Sequence, residues 1–222
     1  MVVQQTTQQF SVQSPIQSAV IMKLEKQDKA DDRVDLNHAT WDSLEQQVTR
    51  CQRCDIHRYR TQTVFGVGNR QADWMIIGEA PGADEDRQGE PFVGRAGQLL
   101  TNILAAIHLP REQVYIANVL KCRPPNNRDP YKKEIHHCQD YLKRQIELVQ
   151  PKIILVVGRI AAQTLLQTQL PVGKMRGKIH YLPELQIPLV VTYHPAYLLR
   201  QPVEKRKVWD DLRRAREIYD PL

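Results

Sequence analysis

A short apolar run, Trp74-Met75-Ile76-Ile77, passes without a spacer into Gly78-Glu79-Ala80-Pro81-Gly82-Ala83-Asp84-Glu85-Asp86. The run is short and shows no alternation, so it reads as a strand covered on both faces. A segment with helical spacing follows, from Gly97 to Ile107. Strand, glycine-rich loop and helix in that order are the unit of an open α/β sheet, which carries its active site at the carboxyl ends of its strands. The same grammar recurs at Val114 to Asn118, at Ile153 to Val157 before Gly158, and at Leu189 to Thr192 before His194. Helical stripes fill the intervals: Leu100, Ile103, Leu104 and Ile107; then Ile135, Cys138, Leu142, Ile146 and Val149; then Gly158 to about Gln167; then Val208, Leu212, Ala215 and Tyr219. Asp129-Pro130 marks a helix start. An earlier helix has Trp41, Leu44, Val48 and Cys51 on one face, with Asn37 or Thr40 as its cap. The expected fold class is α/β, a three-layer α/β/α sandwich with a central, mostly parallel four-stranded sheet. Gly78, Asn118, Gly158 and His194 would then gather along one rim.

A chain of 222 residues suits one ordinary domain and a tail. Residues 1–34 are rich in Gln, Ser and charge without periodicity, and read as a disordered extension ahead of a domain over 35–222. No repeat of solenoid period occurs. The net charge of +6 fits a polyanionic partner through attraction to phosphates, and equally a soluble basic protein. No apolar run approaches the roughly 20 residues of a membrane span, and Ala19-Val20-Ile21-Met22 is too short for a secretion signal. The expectation is a cytoplasmic protein with no membrane partner, whose thiols stay reduced.

Reduced thiols turn attention from disulfides to metal. Cys51 and Cys54 form a C-x2-C pair, and Cys122 and Cys138 a C-x15-C pair. Four thiolates satisfy either a [4Fe–4S] cluster or tetrahedral zinc, and ligand softness alone does not separate the two. The bland reading is a set of small buried hydrophobes and incidental thiols. His136 and His137 adjoin Cys138 as alternative ligands.

Four motifs in order, Gly78 to Gly82, Gly89-Glu90-Pro91-Phe92-Val93-Gly94-Arg95-Ala96-Gly97, Asn118-Val119-Leu120-Lys121-Cys122-Arg123-Pro124-Pro125 and His194-Pro195-Ala196-Tyr197-Leu198-Leu199-Arg200, resemble those of the iron–sulfur (type 4, thermophile-type) uracil-DNA glycosylases. The cysteine spacing is also similar to theirs, and the resemblance runs from about Leu36 to the carboxyl terminus. It implies a [4Fe–4S] cluster, structural rather than redox-active, on Cys51, Cys54, Cys122 and Cys138. It implies removal of uracil from double- or single-stranded DNA, leaving an abasic site for base-excision repair, by a nucleoid-associated monomer.

Breaking an N-glycosidic bond puts positive charge on deoxyribose and negative charge on the base, and the nucleotide must first leave the stack. His194 is expected to donate to uracil O2 as charge develops there. One Asn118 amide can match the O4 and N3–H edge, which cytosine presents reversed. Phe92, exposed at the rim, would stack on the base, and Gly78 and Gly82 would let it approach the backbone. The best-known branch of the superfamily carries a water-activating aspartate where this chain has Ala80. The expectation therefore falls on Glu85, helped by the Ala80 backbone, with Glu79 as the other carboxylate. Leu198, Leu199 and Arg200 fit a minor-groove wedge. Lys121 and Arg123, with Arg128, Lys205 and Arg206, are phosphate-contact candidates. Two other readings compete. A non-catalytic nucleic-acid-binding module with a structural metal centre would need none of His194, Asn118 and Phe92. A phosphate-loop protein would need G-x-x-x-x-G-K-[ST] or G-x-G-x-x-G, which this chain lacks.

Overall fold

A computed structural model describes residues 36–220; the extension expected over 1–34 lies outside them. The first helix, α1 (Trp41–Arg50), starts where Thr40 serves as its cap: the Ser43 amide donates to Thr40 Oγ1 at 3.4 Å, and the Thr40 amide donates to Ser43 Oγ at 2.9 Å. The sheet follows. Four strands, β2 (Trp74–Gly78), β3 (Tyr115–Asn118), β4 (Ile153–Val157) and β6 (Pro188–Thr192), run parallel in the spatial order β3-β2-β4-β6. Two short antiparallel strands, β1 (Val67–Gly68) beside β3 and β5 (Ile179–Tyr181) beside β6, complete a six-stranded sheet. These edge strands have only two and three residues, too few to show the periodicity by which strands are read from sequence.

Side-chain alternation divides the core. Trp74, Ile76, Ile116, Leu155 and Val190 pack on one face with Leu100 and Leu104 of α3 (Arg95–Ala105) and with Val208 and Leu212 of α8 (Lys205–Tyr219). Met75, Ile77, Ala117, Val156 and Val191 pack on the other with Leu142 and Ile146 of α4 (Lys132–Val149) and with Ala161 and Ala162 of α5 (Arg159–Leu165). Successive residues of one strand thus feed opposite faces, and both faces carry helices, which is the three-layer sandwich. Helix α4 begins two residues beyond Asp129-Pro130. The Tyr131 amide donates to Glu134 Oε2 at 2.7 Å, while the Asp129 carboxylate pairs with Arg159 instead of capping. Two short helices, α2 (Ala83–Gln88) after the first loop and α6 (Val172–Met175), and α7 (Pro195–Arg200) after β6, complete the α-helices among the described residues, and four 3-10 turns lie in the loops.

A third apolar cluster lies at one end of the sheet. Leu44 and Val48 of α1, Ile56, Phe65 and Leu120 pack there with Cys122, Cys138 and Tyr141. Strand order reverses at β2, since the chain goes to β3 on one side and then to β4 on the other. That is the switch point at which open sheets leave a crevice.

Candidate active site

The crevice is a cavity of about 470 Å³, within the range of small-ligand sites. Three of the four parallel strands, β2, β3 and β6, send residues toward it, while Gly158 after β4, expected on the same rim, is not on its lining. Glu79, Ala80, Pro81, Gly82 and Glu85 come from the loop and helix after β2, Asn118 from the end of β3, and His194, Ala196, Tyr197 and Arg200 from the end of β6 and α7. Phe92 and Ala96 close one side, and Pro124, Asn127 and Arg128 close another. His194, Asn118 and Phe92, predicted to share one rim, line one cavity. Gly78 lies beneath them: a Cβ there would stand 2.4 Å from Asn118 Oδ1 and 2.6 Å from Phe92 Cζ. Only glycine allows that amide and that ring to meet over the strand end.

His194 precedes Pro195 at the start of α7, and the Ala196 amide donates to its Nδ1 at 3.1 Å. An accepting Nδ1 leaves the ring proton on Nε2. Loss of solvent, with the Arg200 charge adding to it, pushes the imidazole down to about 4, so it is neutral at physiological pH and still a donor. Its ring lies 5.6 Å from that of Phe92, tilted by 31°. Asn118 is buried, and its Oδ1 has no hydrogen-bond partner among the described residues. A buried, unpaired amide oxygen costs free energy unless a ligand satisfies it.

The two carboxylates differ. Glu85 Oε1 accepts from the Val93 and Gly94 amides at 2.9 and 3.0 Å, and its Oε2 accepts from the Gly82 amide at 3.1 Å. It is a clamp that ties the Phe92 loop to the loop after β2, so the expectation of Glu85 as the water activator gives way. Both of its oxygens are committed to backbone donors. The Ala80 side chain packs partly against the third cluster, and Ala80 reaches the cavity wall without a titratable group. Glu79 also faces the cavity, and no described donor binds its carboxylate. Burial, reinforced by the Asp129 charge and opposed by Arg159, pushes Glu79 up to about 7.

Phe92 is 7% exposed rather than open at the rim, and its φ of 55° lies in the left-handed region, which a bulky residue rarely adopts. Three donations hold it there: the two amides on Glu85, and Arg111 Nη2 to the Pro91 carbonyl at 2.6 Å. Arg111 was not legible as a site residue, because nothing local marks a side chain that acts on a loop twenty residues away. Tyr197, partly buried, is also on the wall, and nothing in the sequence sets it apart from its neighbours in the motif.

Two further expectations are corrected. Leu198 is fully buried in the first core cluster, on the inner side of α7, so it cannot enter DNA; Leu199, 40% exposed, and exposed Arg200 remain available. The step of about 100° between successive residues of a helix turns Leu198 to the core and Leu199 to solvent. Lys121 is 1% exposed and faces no phosphate. Its Nζ donates to the Asn118 carbonyl at 2.8 Å and to Gln145 Oε1 at 2.5 Å, and burial pushes it down to about 8. Arg123 is partly buried, with Nε donating to Asn127 Oδ1 at 2.7 Å beside the cavity mouth. Arg128 is held in a two-pronged pair with Glu134, 2.7 and 2.9 Å, and lies 3.7 Å from the Tyr131 ring centre.

All four cysteines converge on a second, small cavity between α1, the loop after β3 and α4, together with His57, Arg60 and His137. Burial pushes the Cys138 thiol up to about 12 and the Cys122 thiol up to about 11. A bound cation would release those protons. The surroundings suit thiolates: Arg60 Nη1 donates to Cys122 Sγ at 3.0 Å, and the Lys121 amide donates to Cys138 Sγ at 3.3 Å. Four soft donors on one cavity are of the kind an iron–sulfur cluster takes, although the described residues form no ready-made group for a single metal ion.

Residues 65–213 match the sequence model of the Uracil DNA glycosylase superfamily. The chain belongs to that superfamily. A Type-4 uracil-DNA glycosylase of Archaeoglobus fulgidus is 43% identical over 183 residues, covering 80% of this chain and 92% of that relative. Type-4 uracil-DNA glycosylases of Pyrobaculum aerophilum and Thermotoga maritima are 41% and 40% identical, covering 76% and 78% of this chain and 89% and 91% of theirs. In this superfamily member the matched segment contains the whole described cavity wall from Glu79 to Arg200. It begins after Cys51 and Cys54, so half of the cysteine centre lies outside it.

Proposed function

We propose that this chain is a uracil-DNA glycosylase, a hydrolase that cleaves the N-glycosidic bond of deoxyuridine in DNA and leaves an abasic site. The observation that carries the reading is the pairing of two unspent groups over one cavity: the Nε2–H of a neutral His194 and the partnerless amide oxygen of Asn118. A base turned out of the stack brings the complement of both. Its N3–H satisfies Asn118 Oδ1, the same amide donates to O4, and O2 receives the His194 proton donor.

The chemistry follows from where charge goes. As C1′–N1 breaks, its electron pair passes into the uracil ring and collects at O2. A preset donor there is worth about 3 kcal/mol in a dry site. His194 donates a hydrogen bond without giving up its proton, because it is already the neutral imidazole, whose remaining N–H is a very weak acid. Phe92 stacks against the base and holds its plane in register with the Asn118 amide. The sugar cation is attacked by water, and Glu79 takes the water's proton. A carboxyl near 7 is half ionised at neutral pH, which suits a general base. Glu85 holds the frame. The basic balance of the chain and exposed Arg200 at the cavity edge supply attraction to phosphates, with Leu199 beside them to fill the vacated stack.

Cys51, Cys54, Cys122 and Cys138 would hold a [4Fe–4S] cluster, with zinc as the alternative. When bound, the group supplies a cross-link among α1, the loop after β3 and α4, and no step of bond cleavage passes through it. Iron, labile sulfide and zinc measured in anaerobically purified protein decide between the two.

The test of the activity is a labelled oligonucleotide bearing one uracil, offered as U:G, as U:A and as a single strand, then treated with alkali. Strand scission at the uracil is the expected result. No scission by protein with a full complement of metal would leave the non-catalytic binding module as the surviving reading.

A further inference from the structure

Lys121 has no place in the chemistry above, yet it is one of the largest side chains removed entirely from solvent. A buried ammonium is costly, and an apolar residue of the same length would hold the fold as well or better. Its contacts explain its presence. The main chain of Lys121 is gripped at both ends: its amide donates to Cys138 Sγ at 3.3 Å, and its carbonyl accepts from the Val64 amide at 2.8 Å. Its neighbour in sequence is Cys122. Its side chain then turns back three residues and donates to the carbonyl of Asn118 at 2.8 Å, where β3 ends. The second acceptor is Gln145 Oε1 on α4, seven residues after Cys138. Gln145 is itself fixed, since its Nε2 donates to the Phe65 carbonyl at 3.0 Å and to Tyr115 Oη at 3.1 Å. This buried lattice therefore joins the cysteines to the residue whose amide faces the base, with Val64, Phe65 and Tyr115 as its outer anchors.

We propose that Lys121 is a positioning residue for base recognition: it fixes the backbone of Asn118 relative to the cysteine centre, so that a filled centre holds the base-reading amide in register. This rests on the reading of the cavity as a uracil site. The physical basis is the sensitivity of paired hydrogen bonds to small shifts. Asn118 must meet a donor and an acceptor of the base with one planar amide. The Cys122 and Cys138 sulfurs are one and two contacts away through Lys121, so displacement of either tilts the strand end that carries that amide.

The test uses full-length Lys121→Met, purified anaerobically beside wild type. Three quantities are read on each: metal per chain, the inhibition constant of free uracil, and the affinity for a uracil-free duplex. With metal content near wild type, the inhibition constant is expected to rise about tenfold, the scale of a lost charge-assisted hydrogen bond, while uracil-free duplex affinity stays unchanged. Stripping the metal from wild type is expected to raise the dissociation constant of free uracil in the same direction, read by calorimetric titration without any turnover. A merely structural lysine would lower metal content and melting temperature and leave the inhibition constant of the loaded molecules at the wild-type value, which overturns the proposal. If Lys121→Met does not fold, Gln145→Met removes the second anchor of the ammonium and is expected to raise the constant about threefold; no rise overturns the proposal equally. Wild type that excises no uracil defeats the reading of the cavity itself. Wild type that does excise, beside variants with unaltered uracil inhibition, defeats only the role of Lys121.

Discussion

In the rim cavity the Asn118 amide oxygen is buried without a partner among the described residues, and the Glu79 carboxyl is held up to about 7. Around the cysteines, Cys122 takes an N–H from Arg60 and Cys138 takes one from the Lys121 backbone. Both regions are pockets made at the ends of the same strands, and both contain titratable groups shifted by burial. They differ in what is left over. The first keeps polar groups whose satisfaction requires something from outside; the second meets its sulfurs with donors before anything binds. Unspent hydrogen-bonding capacity marks where a ligand comes and goes, and donors arranged around thiols mark where one is to stay.

The sharpest contrast comes from mutating one residue in each region. Replacing His194 with Ala is expected to slow single-turnover excision about 100- to 1,000-fold with little change in melting temperature. Replacing Cys138 with Ala is expected to remove the metal and lower the melting temperature by about 10 °C or more, with activity falling alongside the metal. A variant of His194 that melts early, or of Cys138 that keeps its metal, breaks the distinction.

Next in size, Leu198→Ala is expected to cost about 3 kcal/mol of stability, measured by denaturant unfolding, because it opens a cavity in the packed core. Leu199→Ala should leave stability within about 0.5 kcal/mol and lower excision from duplex more than from single strand. Equal effects of the two would mean that α7 does not separate core from DNA face.

The pH profile refines the account of the two titratable groups. The carboxylate form of Glu79 is the base, so single-turnover rate should rise with pH through about 7 and level above it. His194, already neutral above about 4, should add no inflection near 6.5. Glu79→Gln should flatten the rise, and a profile in that variant identical to wild type would remove Glu79 from the proton path. The smallest effect is expected from Glu85→Gln. The amide keeps one carbonyl oxygen to accept from the Val93 and Gly94 amides, so the loss should be about tenfold or less, and milder than that of Glu79→Gln.

Much of the fold was legible because its cause is local. Trp74 to Ile77, Tyr115 to Ala117, Ile153 to Val157 and Leu189 to Val191 are runs that only a strand covered on both faces can hide. Thr40 followed by Ser43 announces a helix start in the same way. The edge strands Val67–Gly68 and Ile179–Tyr181 could not be found, because their pairing is made by the partner strand rather than by their own residues. Gathering His194, Asn118 and Phe92 into one site was also legible, since carboxyl ends of parallel strands share a rim by geometry.

Chain order and residue type, acting over a few neighbours, settled which segments become strands and helices, where the glycine loop falls, and that four thiols exist to be brought together. The direction of each side chain was decided elsewhere. Lys121 and Leu198 lie in motifs that suggest DNA contact, yet each points inward, because Gln145 on a distant helix and the packing of α3 and α8 claim them. Glu85 and Glu79 sit six residues apart with the same chemistry, and only the placement of the Val93 and Gly94 amides makes one a clamp and leaves the other unpaired. Hydrogen-bond partners and desolvation come from atoms far away in sequence, so the identity of a residue fixes what it can do while the tertiary structure fixes which of those things it does.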